Sequence, residues 1–186
     1  MTPDLAVVCS LLAHYAREEK DHSQQQACQV ILTFIEQHPD CLLRTCLEGH
    51  LTGSAWIVNP ARTCALLTHH RKLGKWLQLG GHADGNPDLV AVALQEAKEE
   101  SGLESVQLVS PGIFDLDYHP IPARKDVPAH LHFDLRFLFE ADDRVAWRVS
   151  EESIDLAWVP LERISTLNPE PSLVRMVTKT PRERHV

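Results

Sequence analysis

Residues 80–103 read GGHADGNPDLVAVALQEAKEESGL, and the reading of this stretch decides the reading of the chain. A glycine pair and a turn-rich loop give way to a helical pattern whose last turns carry Glu96, Glu99 and Glu100. At spacings of i, i+3 and i+4 these carboxylates share one helix face, their β-carbons roughly 5–6 Å apart. Like charges so placed cost an isolated helix about 0.2–0.5 kcal/mol per pair, and acids near a helix C-terminus also oppose the macrodipole. A hard divalent cation removes that penalty, because Mg2+ and Mn2+ prefer carboxylate, carbonyl and water oxygens. The competing reading is an ordinary solvated acidic face. Asn86 suits the N-cap, Pro87 the first helical position and Asp88 the positive end, while Gly102 suits a left-handed C-terminal position. Leu89, Val92, Ala93 and Ala97 form an apolar stripe, so one face packs while another holds acids.

The stretch resembles the signature of the Nudix hydrolase superfamily, G-x5-E-x7-R-E-U-x-E-E-x-G-U with U apolar. The match comprises Gly81, Glu96, Ala97, Glu99, Glu100, Gly102 and Leu103. Pro87 replaces the first glutamate and Gln95 replaces the arginine, two side chains that in the family support the loop and orient a glutamate. Gln95 still donates a hydrogen bond, without charge. The resemblance implies that Glu96, Glu99 and Glu100 are catalytic and bind Mg2+ or Mn2+, with the Gly80 carbonyl as a backbone ligand. Gly81 would let a substrate diphosphate approach closely. The implied activity is divalent-metal-dependent hydrolysis of the pyrophosphate linkage of a nucleoside diphosphate joined to another moiety, by a water that Glu96 or Glu100 orients or deprotonates. The implied fold is an α/β/α sandwich with a mixed β-sheet, the resemblance covering about residues 51–167.

Two other readings share these residues. One is a Nudix-like diphosphate isomerase: the GGH loop and His50 resemble two histidine positions in the metal site of isopentenyl-diphosphate isomerases. The catalytic cysteine of those enzymes, however, would fall on Gly80. The other is a non-catalytic nucleotide-binding sensor, suggested by Pro87 and Gln95.

The 186 residues suffice for one well-buried domain with an appendage, and a net charge of −8 argues against general nucleic-acid binding, which needs a dense basic footprint. Cys9, Cys28, Cys41, Cys46 and Cys64 form an odd set without paired C-x2-C spacing, which reads as reduced and points to a cytoplasmic setting. No apolar run reaches the roughly 18 residues of a membrane span, and the N-terminus lacks the basic region of a secretion signal.

Thr2, Pro3 and Asp4 form a helix-start signal, and Leu5, Val8, Leu12 and Tyr15 repeat at helical spacing. A second helix begins near Asp21, buries Ala27, Val30, Ile31, Phe34 and Ile35, and ends at His38-Pro39. The chain therefore divides into an N-terminal helical extension, 1–40, and a Nudix domain, 41–186. The extension packs on its own chain or serves as a homodimer contact. Residues 50–59 and 63–69 read as paired strands around Asn59-Pro60. His69, His70, Arg71, Lys72 and Lys75 then make a basic cluster in an acidic chain. With Trp76 and Gly81, Arg71 and Lys75 are candidate substrate-binding residues, the alternative being a solvated loop and a core tryptophan.

Residues 106–110 and 113–118 read as strands, followed by the proline-rich loop HPIPARKDVP, a candidate recognition loop. Residues 130–140 (HLHFDLRFLFE) alternate so that His130, His132 and Asp134 share one face of a strand. Together with His50 and His82, His130 and His132 form a candidate second metal or phosphate site; the plainer reading is hydrogen-bonded histidines lining a pocket. A short strand at 154–159 and helices near 161–164 and 171–178 complete the chain. Glu140, Asp142, Asp143, Glu151 and Glu152 are equivalent candidates for a general base.

Overall fold

A computed structural model describes residues 3–124 and 127–182. Thr2 of the helix-start signal, Lys125 and Asp126 of the proline-rich loop, and residues 183–186 of the expected 41–186 domain lie outside the described residues. Six antiparallel ladders and one parallel ladder organise the described residues into an eight-stranded mixed sheet. Its centre is the parallel pair of β1 (Gly49–Val58) and β7 (His130–Glu140), in register from Gly49 opposite Leu131 to Val58 opposite Glu140. Every residue of β1 is buried, as expected for a parallel strand covered on both faces.

Each central strand divides its outer edge between two partners. β1 pairs with β2 (Cys64–His70) near Ile57 and with β4 (Leu79–His82) from Thr52 to Ala55. On the other side, β7 pairs with β6 (Asp115–Ile121) along its first half and with β5 (Gln107–Leu108) near its end. β2 continues outward to β3 (Lys75–Leu77) and β8 (Ser153–Pro160). Strands β3 and β4 replace what the sequence suggested was a loop. Both are short and interrupted by glycine or charge, so neither shows the alternation that marks a strand, and only their partners in β2 and β1 define them.

Helices cover both faces. Leu51, Ala55 and Ile57 of β1 and Phe133, Leu135, Phe137 and Phe139 of β7 share one core with α1 (Pro3–Glu18), α2 (His22–Gln37) and α3 (Leu89–Ser101). The opposite face carries Trp56, Val58 and Leu138 against a 3-10 turn at Leu161–Arg163, α4 (Ile164–Leu167) and α5 (Pro171–Lys179). This apolar core stops partway along the sheet. Towards the start of β1 and β7, the same face instead carries His50, Thr52, Ser54, His132, Asp134 and Arg136.

The expected periodicities hold in α1 and α2: Leu5, Val8, Leu12, Tyr15, Ala27, Ile31, Phe34 and Ile35 are buried. Val30 is only partly buried. The pair packs on its own chain. Phe34 stacks on Phe133 at 4.1 Å, and the buried Gln24 amide treats β6 as a neighbouring strand would. It donates to Leu116 O and accepts from Leu116 N, both at 2.9 Å.

Helix α3 starts two residues later than expected. Asp88 is its N-cap and accepts from Ala91 N at 3.0 Å, whereas Asn86 accepts from Asp88 N and closes a turn outside the helix. A charged carboxylate answers the helix's positive end better than a neutral amide. The C-terminus is as expected, with Gly102 left-handed at φ 69°.

Candidate active site and a neighbouring histidine cluster

The last two turns of α3 lie across β4, and the register determines what each acid meets. Gly80 N donates to Glu100 Oε1 at 3.0 Å. Gly81 leaves room for Glu96: a Cβ built there would stand 2.2 Å from Glu96 Oε1. Glu99 is more exposed and accepts from Gln95 Nε2 at 2.8 Å, so Gln95 holds a glutamate at the position where the resembled signature has arginine. Burial pushes the Glu100 carboxyl up to about 7; the Gly80 bond opposes the rise, and the Glu96 and Glu152 charges add to it. Glu96 is raised too, first by burial and then by Glu99 and Glu152.

These half-buried, mutually repelling carboxylates beside a glycine cradle that a methyl group would fill fit a hard divalent cation. Their oxygens are nevertheless spread out. Among the described residues, the sets of three donor atoms within 4.8 Å of one another are His50–His130–His132 and His38–Cys46–Glu48, not the glutamates.

Two participants carry no sequence signal of their own. Glu152 was one of five equivalent acids, yet its charge acts on both Glu96 and Glu100. Arg71 brings it there: its backbone N–H donates to Glu152 O at 2.9 Å, and its guanidinium donates to Glu151 O at 3.0 Å and Ser153 O at 2.6 Å. Arg44, unremarkable in sequence, forms a two-pronged pair with Asp84, both bonds 2.6 Å, and its charge acts on Glu96, His50 and His82. Lys75 pairs with Glu170. Trp76 stacks on His69 at 5.1 Å and its carbonyl accepts from Asn168 Nδ2 at 2.9 Å.

On the other face of β4 the four singled-out histidines converge. Side chains alternate along a strand, so Gly81 faces Glu96 while His82 faces away from α3. His132 Nε2 lies 3.2 Å from His82 Nε2 and 3.3 Å from His130 Nε2. The His50 ring centre is 4.9, 4.9 and 4.8 Å from those of His82, His130 and His132. Burial lowers all three enclosed rings, His82 to about 4 and His132 to about 2, with His50 lowered in the same sense.

Opposing pH effects follow for the protein without metal. Between the unfolded carboxyl value of 4.5 and the folded value of about 7, folded Glu100 holds a proton that the unfolded chain releases. Its contribution to stability therefore grows as pH falls through that window. The lowered histidines act oppositely, losing stability as pH falls below their ordinary 6.5. Comparison with Glu100→Gln isolates the first effect. In urea titrations with EDTA the variant should be the more stable at pH 7.5, and the gap should narrow toward pH 5. A gap that does not change with pH would contradict the buried charge.

The family model for the NUDIX domain matches residues 50–177. Among solved structures, a NUDIX-family hydrolase from Clostridium perfringens is 26% identical with a TM-score of 0.50, covering 70% of this chain and 95% of that one. An Ap4A hydrolase of C. elegans in a binary complex is 16% identical with a TM-score of 0.52, covering 69% and 93%. The E. coli dihydroneopterin triphosphate pyrophosphohydrolase is 12% identical with a TM-score of 0.57, covering 69% and 92%. At these identities the last two show a shared fold. No curated protein sequence matches the chain.

Proposed function

We propose, from the premise that this chain belongs to the NUDIX domain family, that it hydrolyses the pyrophosphate linkage of a nucleoside diphosphate joined to a second moiety. The family assignment makes it a pyrophosphohydrolase; the cation, the substrate and the residue roles are our reading. The observation that supports it most is the seating of Glu96 and Glu100 against Gly81 and Gly80, with carboxyls that burial makes reluctant to ionise alone.

In this reading Glu96, Glu99 and Glu100, with the Gly80 carbonyl, hold Mg2+ or Mn2+. Such an ion neutralises the anhydride oxygens and supplies an activated water. The charge of Glu152 acts on the same acids, and in this reading Glu152 takes the water's proton, with Arg71 fixing the turn that carries it. Gln95 positions Glu99 by hydrogen bonding, the task that arginine has in the resembled signature. The five cysteines are all free, and among the described residues no helix is long and apolar enough to cross a membrane; free thiols support a reducing, cytoplasmic setting.

The test is a panel of dinucleotides, nucleotide sugars and nucleoside triphosphates with Mg2+ or Mn2+, products identified by mass. Two phosphorylated products from one substrate are expected. Tight nucleotide binding without turnover would replace the reading with a sensor.

Gly81→Ala provides a test at one atom. Its Cβ would displace the Glu96 carboxylate rather than backbone, so the flexible side chain yields. We expect kcat to fall by more than about 30-fold, roughly 2 kcal/mol, while the melting temperature stays within a few degrees. Equal losses of activity and stability would show that the glycine serves packing alone.

A further inference from the structure

We propose that His50, His82, His130 and His132 form a nitrogen-donor site for a borderline divalent transition-metal ion, with Zn2+ as the reference case, separate from the oxygen-donor site on α3. Spacing is the first argument. Zn–N bonds are about 2.0–2.1 Å in tetrahedral sites, which sets neighbouring donor nitrogens about 3.3–3.4 Å apart. His132 Nε2 stands 3.2 and 3.3 Å from its two neighbours, already the edge length of such a tetrahedron.

Proton bookkeeping is the second. His130 Nδ1 lies 2.9 Å from Pro128 O, and a carbonyl only accepts, so the ring's proton sits on Nδ1 and its Nε2 presents a lone pair inward. A backbone carbonyl gripping the far nitrogen is how metal-binding histidines are commonly oriented. His82 and His130 both direct Nε2 at His132 Nε2, and one N–H there cannot serve both well. A cation relieves this crowding: the ligand atoms of His50, His130 and His132 all lie within 4.8 Å of one another, and His82 abuts the set through His132.

The third argument is His50. It is 4% exposed, and among the described residues neither ring nitrogen makes a hydrogen bond of normal geometry, the Cys46 backbone being the group that approaches the ring. Burying a polar group unpaired costs about 1–3 kcal/mol. Its ring nonetheless stands among the other three, and its ligand atom lies within 4.8 Å of those of His130 and His132. A ligand role beside His130 and His132 accounts for a buried ring whose nitrogens are otherwise so poorly partnered among the described residues.

The chemistry of the donors selects the occupant. Imidazole suits Zn2+, Fe2+, Ni2+ and Cu2+, whereas carboxylates and carbonyls suit Mg2+. A phosphate would need N–H donors turned inward, whereas the His130 proton sits on Nδ1, toward Pro128 O. The nearby Arg44 charge is answered by Asp84. Since β1 and β7 supply the three close ligands and β4 brings His82 against His132, the ion would tie these strands together and hold Gly80 and Gly81 in place from the face opposite α3.

The experiment strips the full-length protein with a chelator and titrates it with Co2+ alone, following the visible absorption of nitrogen-ligated tetrahedral cobalt. One equivalent should bind, be displaced by Zn2+, and be indifferent to excess Mg2+. Because loss of an orienting partner alone costs about 10–100-fold in affinity, His132→Ala and His50→Ala should weaken binding by more than about 100-fold. Glu99→Gln should bind Co2+ as wild type does. Should either variant fail to fold, His130→Ala, at a partly exposed position, gives the same readout, with circular dichroism confirming the fold. The proposal is overturned if wild type takes up no stoichiometric Co2+, if uptake survives His132→Ala and His130→Ala, if Glu99→Gln rather than a histidine variant abolishes it, or if inorganic phosphate binds the cluster in place of the metal. None of these readouts is hydrolysis, so failure here leaves the hydrolase reading standing, and failure of that reading leaves the site.

Discussion

Glu100→Gln should lower kcat by about 1,000-fold, roughly 4 kcal/mol of transition-state stabilisation at 1.36 kcal/mol per tenfold, with the fold intact. The substitution keeps shape and keeps an oxygen to accept from Gly80 N, a bond now 3.0 Å long. What it removes is a charge that the protein alone disfavours, since burial and the Glu96 and Glu152 carboxylates all raise the Glu100 pKa. A site that concentrates negative charge against its own stability makes physical sense where a cation and an anionic substrate complete it. The sign of the stability change separates this account from a structural one. A structural acid loses stability on neutralisation; Glu100 should gain it in EDTA at pH 7.5 while losing turnover. Steady-state kinetics at saturating Mg2+ or Mn2+, beside urea titrations, measure both. A kcat within threefold of wild type would remove Glu100 from the reaction, and a loss in both quantities would make it a packing residue.

The parts of this site that the sequence displays are those whose signal is local. The acids of α3 appear at helical spacing and end at a glycine that is left-handed at φ 69°. His130 and His132 share a face because a strand alternates, and β7 spans the expected residues, His130–Glu140. What the sequence conceals depends on contacts between distant segments. Glu152 resembles any acid in a solvated turn until Arg71, some 80 positions away, draws its backbone in. Lys75–Leu77 and Leu79–His82 have no period to show, and become strands through β2 and β1. Two cap formers, Asn86 and Asp88, compete for the helix start, a contest that geometry settles in favour of Asp88. Gathering four histidines is legible from strand parity and from the resemblance, but the 3.2 and 3.3 Å separations and the buried, poorly partnered ring of His50 are not.

Arg136→Met should destabilise the protein by about 3–5 kcal/mol, the cost typical of breaking a buried ion pair from one side. At roughly 2–4 °C per kcal/mol for a chain of this size, that is a fall in melting temperature on the order of 10 °C. Arg136 is buried among three carboxylates: Nε donates to Asp134 at 2.8 Å, one terminal nitrogen to Asp115 at 3.2 Å and the other to Asp117 at 3.0 Å. Burial opposes its charge, but Asp134, Asp117 and Asp115 outweigh burial and hold the guanidinium protonated. Methionine fills similar volume and answers none of them. Arg175 still reaches Asp115 at 2.8 Å, but Asp134, 2% exposed, keeps only the hydroxyls of Thr52 and Ser54 and the amide of Gln78. Against burial, the Arg136 charge helps hold Asp117 below the usual carboxylate range; with that cation gone Asp117 should titrate higher, so the defect should shrink as pH falls and the protonated acid no longer needs a partner. Denaturant titrations of wild type and variant at pH 7.5 and pH 5 measure it. A loss below 1 kcal/mol, or one that pH does not alter, would mean that the three acids find water once Arg136 is removed. The face of the sheet between the histidine cluster and the apolar core would then not be dry enough to hold charges in fixed places.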